Sequence, residues 1–369
     1  MERPEGLRQD QSTHGDLRVH LREAEGSYSG HRLEDYPILV QTLVQVKQAN
    51  AMALSAAGGL DAVNAQKIIR GCQKIKMGFG LEGLNGDPYS GATGEVISFN
   101  VNQILHAAMQ ENGESILNVF MEAGLAHSAQ VALAVRVALL TIGEAFANDA
   151  NEVIGLLNEY ASKFRGESFY KFESLQRAER ASVGEYFAGF AQLLQRRLNM
   201  LLEAIEYLSW VGVPGEPEFV DEFLVAYNRV SSFPINLRPD AFDARQNIDD
   251  LALVGSQLKL LANSIVKVAK DMRLLGSDLV EDLEMRFAQS MNTLPFSMKN
   301  RPVLLETLIQ SSFIVIGHCE TVERSLEHSE LSSSAYDCFA GVNLYDALVK
   351  YGNAFTVFKK HLTCGPKSR

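Results

Sequence analysis

The sequence predicts an all-α fold built on a bundle of long helices, and three observations predict it. Leu251, Val254, Leu258, Leu261, Ile265, Val268, Met272 and Leu275 recur at alternating spacings of three and four. That is the a/d pattern of a long helix packed along most of its length. Phe187, Phe190, Leu194, Leu198, Leu201, Ile205 and Leu208 lay a second such stripe. Alternating apolar and polar runs between Asn-Gly or Asp-Gly turns are almost absent, so few strands are expected.

The elements follow in order. Residues 1–15 are polar and read as a flexible arm, 16–95 as an N-terminal helical domain, and 96–369 as the central long-helix bundle. Helical periods cover 36–54 and, after the Gly58-Gly59 break, 60–76. Glycines crowd 78–94, which reads as a loop. Longer helices are expected over 96–112, 128–163 and 182–211, the last stopped by Val213-Pro214-Gly215-Glu216-Pro217. A short helix at 217–230 and a proline-containing loop to Arg238-Pro239 lead into the heptad helix, 246–276. A final helical region starts at Pro302 and is interrupted at Ser332-Ser333-Ser334. Val303 to Ile316 is apolar at nearly every helical phase, which implies burial on more than one side, supplied by an oligomer formed through the bundle or by a large monomeric core.

Composition narrows the function classes. A net charge of −11 argues against nucleic acid, since phosphate binding needs clustered Lys and Arg, and runs such as Gln195-Arg196-Arg197 sit on helix faces. No uninterrupted apolar run approaches the roughly 18 residues of a membrane span. The start MERPEGLRQDQSTHGD is not a signal peptide, so a cytoplasmic location is expected. Cys72, Cys319, Cys338 and Cys364 lack C-x-x-C spacing and read as reduced thiols. His318-Cys319-Glu320 places neighbours about 100° apart on a helix, so no metal or other cofactor is expected.

Six segments in fixed order carry a resemblance. LREAEGSYSGHR (21–32), followed by YPILVQTLVQVKQANAMA, resembles the LRAxENFxISGxR stretch and first helix of aspartate ammonia-lyases. YSGATGEVISFNVNQIL (89–105) is similar to FQGGAGTSTNMNANEVI, and SAQVALAVRVALL (128–140) to the end of QSTNDVxPTAxRIAAL. KFESLQRAERASVGEYFAGFA (171–191) is similar to GRTHLQDAxPxTLGQEFSGYA. TLPFSMKNRPVLLETLIQSSFIVIG (293–317) is similar to SSxMPGKVNPxxPExxNQVCxQVIG. The chain thus resembles the aspartase/fumarase lyase superfamily from about residue 21 to 365. The resemblance implies a helical homotetramer with three chains contributing to each site. It also implies elimination from a succinyl-type substrate, with a loop serine as base and polar groups holding the dianion.

The motif positions depart from that pattern. Glu95, Val96, Ile97 and Ser98 stand where the family grips a carboxylate with Thr-Ser-Thr-Asn, and a carboxylate there repels a substrate carboxylate. Ala126, His127, Ser128 and Ala129 replace Ser-Thr-Asn-Asp. Glu173 and Ser174 replace Thr-His, while Leu175, Gln176 and Ala178 persist. The glycine-threonine loop has shrunk to Val211-Gly212-Val213-Pro214-Gly215, and the family's small C-terminal domain is expected to be absent. At the serine loop one register places Met291 at the base position. The preferred one places Thr293 there and keeps Lys299, running without a gap through Glu306 and Gln310.

The candidate catalytic residues are therefore Thr293, Lys299, Ser174, His127 and Glu173, with Glu95, Ser98, Asn100, Ser128, Gln176 and Arg301 as candidate substrate-binding residues. Arg136 is expected to pair or pack on its helix. Ordinary fumarate release is not expected. The expectation is a divergent enzyme acting on a small molecule by elimination, addition, isomerisation or cyclisation. The alternative is a silent relative that partners an active homologue in a hetero-oligomer.

Overall fold

The computed structural model describes residues 29–109, 124–174, 176–277, 279–280, 285–289, 302–327, 331 and 334–366. Its described helices are α1 (Pro37–Ala56), α2 (Ala62–Lys76), α3 (Glu95–Met109), α4 (His127–Lys163), α5 (Val183–Tyr207), α6 (Pro217–Val230), α7 (Asp243–Gln246), α8 (Asp249–Leu275), α9 (Val303–Leu326) and α10 (Asp337–His361). Local chemistry fixes several starts. Proline opens α1 and α6, where its missing N–H costs nothing. The Asp61 carboxylate caps α2 by accepting from the N–H of Val63 and Asn64. Ser182 and Glu185 form a reciprocal capping box on α5.

Five long helices close a ring in the order α4, α5, α8, α9, α10 and back to α4. The heptad residues Leu251, Val254, Leu258, Leu261, Ile265, Val268, Met272 and Leu275 are all buried in it. Packing is close enough to demand glycine at Gly341 of α10, where a Cβ would stand 1.8 Å from the Val135 Cγ1 of α4. On the outside, α1 packs on α2, α4 and α6, and α3 packs on α2 and α4. One apolar core runs from Leu33 to Leu362.

A hairpin interrupts the helical reading: β1 (Ser168–Glu173) pairs antiparallel with β2 (Gln176–Ser182), from Ser168 opposite Ser182 to Glu173 opposite Gln176. Its alternation is hidden because most of its side chains face water, with Phe169 the buried exception. Two further short pairings occur, Trp210–Val211 (β3) with Asn236–Leu237 (β4), and Met285–Gln289 (β5) with Leu362–Pro366 (β6). These short pairings are the few strands among the described residues, as the all-α reading allows.

A correction concerns apolar length. By length and composition alone α4, α8 and α9 could cross a membrane. The expectation rested on uninterrupted runs, which Arg136 and Lys259 break while the average over the helix stays apolar. In the bundle, 72%, 50% and 39% of their respective most apolar windows are buried inside the chain. Cys72, Cys319 and Cys338 are buried free thiols, as the spacing predicted.

The ring has two distinct ends. At one, α4 begins, α5 finishes, and α8 and α10 begin; Arg136 of α4 there meets Asp250 of α8 and Asp337 of α10. At the other, Tyr160 near the finish of α4 lies against Phe187 near the start of α5 and donates from its hydroxyl to the Leu362 carbonyl. The 37 residues of α4 hold these ends ~55 Å apart.

Candidate functional site

The end where α4 begins carries the ionisable side chains worth attention. Leu125 is clamped just before the helix: its N–H donates to the Asn50 Oδ1 of α1 and its carbonyl accepts from the Gln130 Nε2. Gly124 makes the preceding turn at φ 78°, with the Asn50 amide 2.3 Å from where a Cβ would be. This clamp sets the first turn of α4, and with it His127 and Ser128.

Behind His127 lies a buried polar chain. Lys47 of α1 is 1% exposed, and its Nζ stands 2.8 Å from the Ser98 Oγ of α3 and 2.9 Å from the Gln130 Oε1 of α4. The Ser98 Oγ is in turn 2.9 Å from the His127 Nδ1. The half-buried His127 ring lies against Phe99, centroids 4.6 Å apart. Burial without a carboxylate partner drives the Lys47 amine down to about 7. Burial, and then the neighbouring amine, lower His127 to about 4, so the imidazole is neutral at physiological pH.

At the same end of α4 opens a cleft of about 330 Å³, lined by Ala126 and Ser128 on either side of His127 in sequence and by Arg136, Gly212, Arg245 and Asp337 among others. Arg136 is not a lone helix residue: its Nε and Nη2 donate to Asp250 at 2.6 and 3.0 Å, and its Nη1 donates to Asp337 at 2.6 Å. Burial raises Asp250, but Arg136 and Arg238 outweigh it and leave that carboxyl below its ordinary value. Asp337 keeps only Arg136 as a strong partner, and there burial wins, leaving its carboxyl raised. The cleft therefore contains a carboxyl whose proton is held more tightly than usual, as acid–base sites often require.

The structure brings Ser98, His127 and Ser128 together at this end. Glu95, on the same helix as Ser98, is half-buried as the first residue of α3. Asn100 is committed locally, accepting from the Gly86 N–H and donating to the Gly83 carbonyl, which holds the loop before α3. Glu173, Ser174 and Gln176 lie at the tip of the β1–β2 hairpin, at the opposite end and exposed. Lys171 pairs there with Glu173 at 3.3 Å, and Ser174 adopts a left-handed backbone with φ 49°. Thr293, Lys299 and Arg301 lie outside the described residues. No grouping of three or more metal-ligating side chains occurs among the described residues.

Sequence reasoning missed Lys47, Gln130, Arg245 and Asp337. For Lys47 a signal existed. Val44, Val46, Gln48, Ala49 and Asn50 are buried around it, so this part of α1 leaves its lysine no solvent face.

A family model described as "Lyase" matches residues 13–317. The chain belongs to the aspartase/fumarase lyase superfamily. Curated members of that superfamily are similar over most of the chain. The aspartate ammonia-lyase of Bacillus sp is 23% identical over 359 residues, covering 92% of this chain and 76% of that one. That of Escherichia coli (strain K12) is 23% identical over 360 residues, covering 90% and 74%. Solved structures show the same fold. The fumarate lyase:delta crystallin of Brucella melitensis superposes with a TM-score of 0.87 at 22% identity, over 94% of this chain and 81% of that one. A class II fumarase from Schistosoma mansoni gives 0.83 at 15% identity, over 94% and 80%. The all-α bundle and the superfamily expected from the motifs are thus found, at identities low enough to leave room for altered site chemistry.

Proposed function

We propose that this lyase-superfamily chain is an enzyme of altered chemistry acting on a small molecule, by elimination, addition, isomerisation or cyclisation. The observation that carries the reading is the buried Lys47–Ser98–His127 chain, which ends at His127 between two cleft-lining residues, Ala126 and Ser128. Holding a lysine in the interior without a carboxylate costs several kcal/mol, and an apolar side chain would fill the position more cheaply. A scaffold without chemistry gains nothing from it. Loss of the carboxylate-gripping hydroxyls, with Glu95 and the fully buried Ile97 in their places, supports loss of fumarate-releasing activity.

Because His127 and Ser128 begin α4, with Ser98 beside them, while Glu173, Ser174 and Gln176 lie beyond its far end, ~55 Å of helix separates the two groups within one chain, and a single site uses both only across copies. In this reading a homotetramer built through the bundle, as the superfamily resemblance implies, brings the hairpin tip of one copy beside the cleft of another. The protein in this reading is soluble and cytoplasmic, takes a small-molecule substrate without nucleic acid or membrane, and needs no cofactor.

The test is substrate-independent. Purified protein is incubated with a small-metabolite extract, and mass spectrometry follows what is consumed. Consumption by the wild type that is lost in H127Q supports the enzyme. Turnover of aspartate, malate or argininosuccinate to fumarate at ordinary lyase rates refutes altered chemistry. An unchanged extract supports a second reading, favoured by the apolar filling at Val96 and Ile97: a silent partner of an active homologue in a mixed oligomer.

A further inference from the structure

The Ser98 hydroxyl carries one proton and has two polar neighbours, the Lys47 Nζ at 2.8 Å and the His127 Nδ1 at 2.9 Å. Ser98 is fully buried, so water cannot take that proton instead. The proton must point one way or the other, and its direction dictates what the imidazole can be. We propose that Lys47, acting through Ser98, sets the tautomer of His127, so that the ring's Nε2 is a base when the amine is neutral and a donor when it is charged.

The logic follows from lone pairs. A charged ammonium has three N–H donors and no acceptor. It donates to the Gln130 Oε1 and the Ser98 Oγ, so the Ser98 proton turns to the His127 Nδ1, which must accept. The ring's hydrogen then sits on Nε2. A neutral amine keeps one lone pair, and leaving that pair buried and unmatched is costly. It accepts the Ser98 proton; Ser98 then accepts from a His127 Nδ1–H, and Nε2 is left with a free lone pair. One proton gained or lost at Lys47 thus inverts the chemistry of a nitrogen two hydrogen bonds away, with His127 neutral throughout.

The surroundings leave Lys47 as the group that titrates. The groups facing it are Cys72 from α2, Ser98 from α3, and Gln130 and His127 from α4. Burial pushes the Cys72 thiol up to about 12, so it stays uncharged near neutral pH; Lys76 of α2 interacts with the same thiol. Among the described residues, α6 and the turn at Leu33–Asp35 with its Glu34 and Asp35, the remaining neighbours of α1, bring no titratable group to the amine. With the amine brought to about 7 and His127 to about 4, the window in which the switch operates contains no other change of charge on the chain of three. Lys47 and Ser98 are positioning residues here, and the inference stands on their geometry, independent of any particular reaction.

Two-bond ¹H–¹⁵N correlation on ¹⁵N-histidine-labelled protein reads the tautomer directly, with His127 assigned by its loss in H127Q. Across about pH 6 to pH 9 the wild type is expected to pass from Nε2–H to Nδ1–H with its midpoint at the Lys47 titration. S98A, which removes the connecting hydroxyl but no charge, is expected to abolish the change. K47M is expected to abolish it too, and S98A keeps the test decisive if K47M does not fold. One tautomer throughout in the wild type, or a pH-dependent change that survives in S98A, overturns the proposal.

Discussion

Replacing Lys47 by methionine gives a stability curve that the wild type cannot follow. The amine falls from an ordinary 10.5 to about 7 on folding, a gap of ~3.5 units, or ~5 kcal/mol at ~1.36 kcal/mol per unit. The sign follows from proton uptake. Between about 7 and 10.5 the unfolded chain holds the proton and the folded chain does not, so wild-type stability rises with pH across that window. Stability present above the unfolded value is lost as pH falls, and the full penalty stands below about 7. K47M has no such proton. Urea unfolding of both proteins at matched concentration, from about pH 7.5 to pH 9.5, should show the wild type gaining ~2.7 kcal/mol relative to K47M. The Cys72 thiol contributes an opposite slope in both proteins and cancels in the difference. Parallel curves would refute a buried neutral amine, and with it the reasoning from Lys47 to the site.

Three other outcomes are expected. R136M strips both Asp250 and Asp337 of their shared partner and should cost ~3–5 kcal/mol, read as a lowered urea midpoint. G341A forces a methyl into the Val135 side chain and should destabilise by ~1–3 kcal/mol, with V135A restoring part of the loss in the double variant. His127 falls to about 4 from 6.5 on folding, so the unfolded chain binds its proton first; stability relative to H127Q should be lost as pH drops through that range, measured by chemical denaturation.

The fold was legible because burial enforces pattern. The heptad from Leu251 to Leu275 and the stripe from Phe187 to Leu208 are apolar where each helix meets its neighbours in the ring, and helix ends fell near their caps and prolines. The β1–β2 hairpin was illegible for the opposite reason. With water on most of its side chains, residues such as Lys171, Arg177 and Glu179 are free of any apolar alternation. At the site, Ser98 and His127 could be found because they occupy motif positions. Lys47 could not be found that way, since no motif marks it and a lone lysine among apolar residues ordinarily keeps its charge in water. Arg136 shows the same limit: its partners Asp250 and Asp337 are 114 and 201 positions away in sequence, which no local reading spans.

Long rods with chemically different ends have an effect on how substitutions combine. A change near Ser98 and one near Gln176 share no neighbours inside a protomer, so their costs to folding should simply add. Under the assembly proposed above they meet only where two copies touch, so their effects on turnover should be strongly non-additive. The same pair of variants would then be energetically blind to each other in one measurement and coupled in the other, which distinguishes tuning of the catalyst from damage to the scaffold.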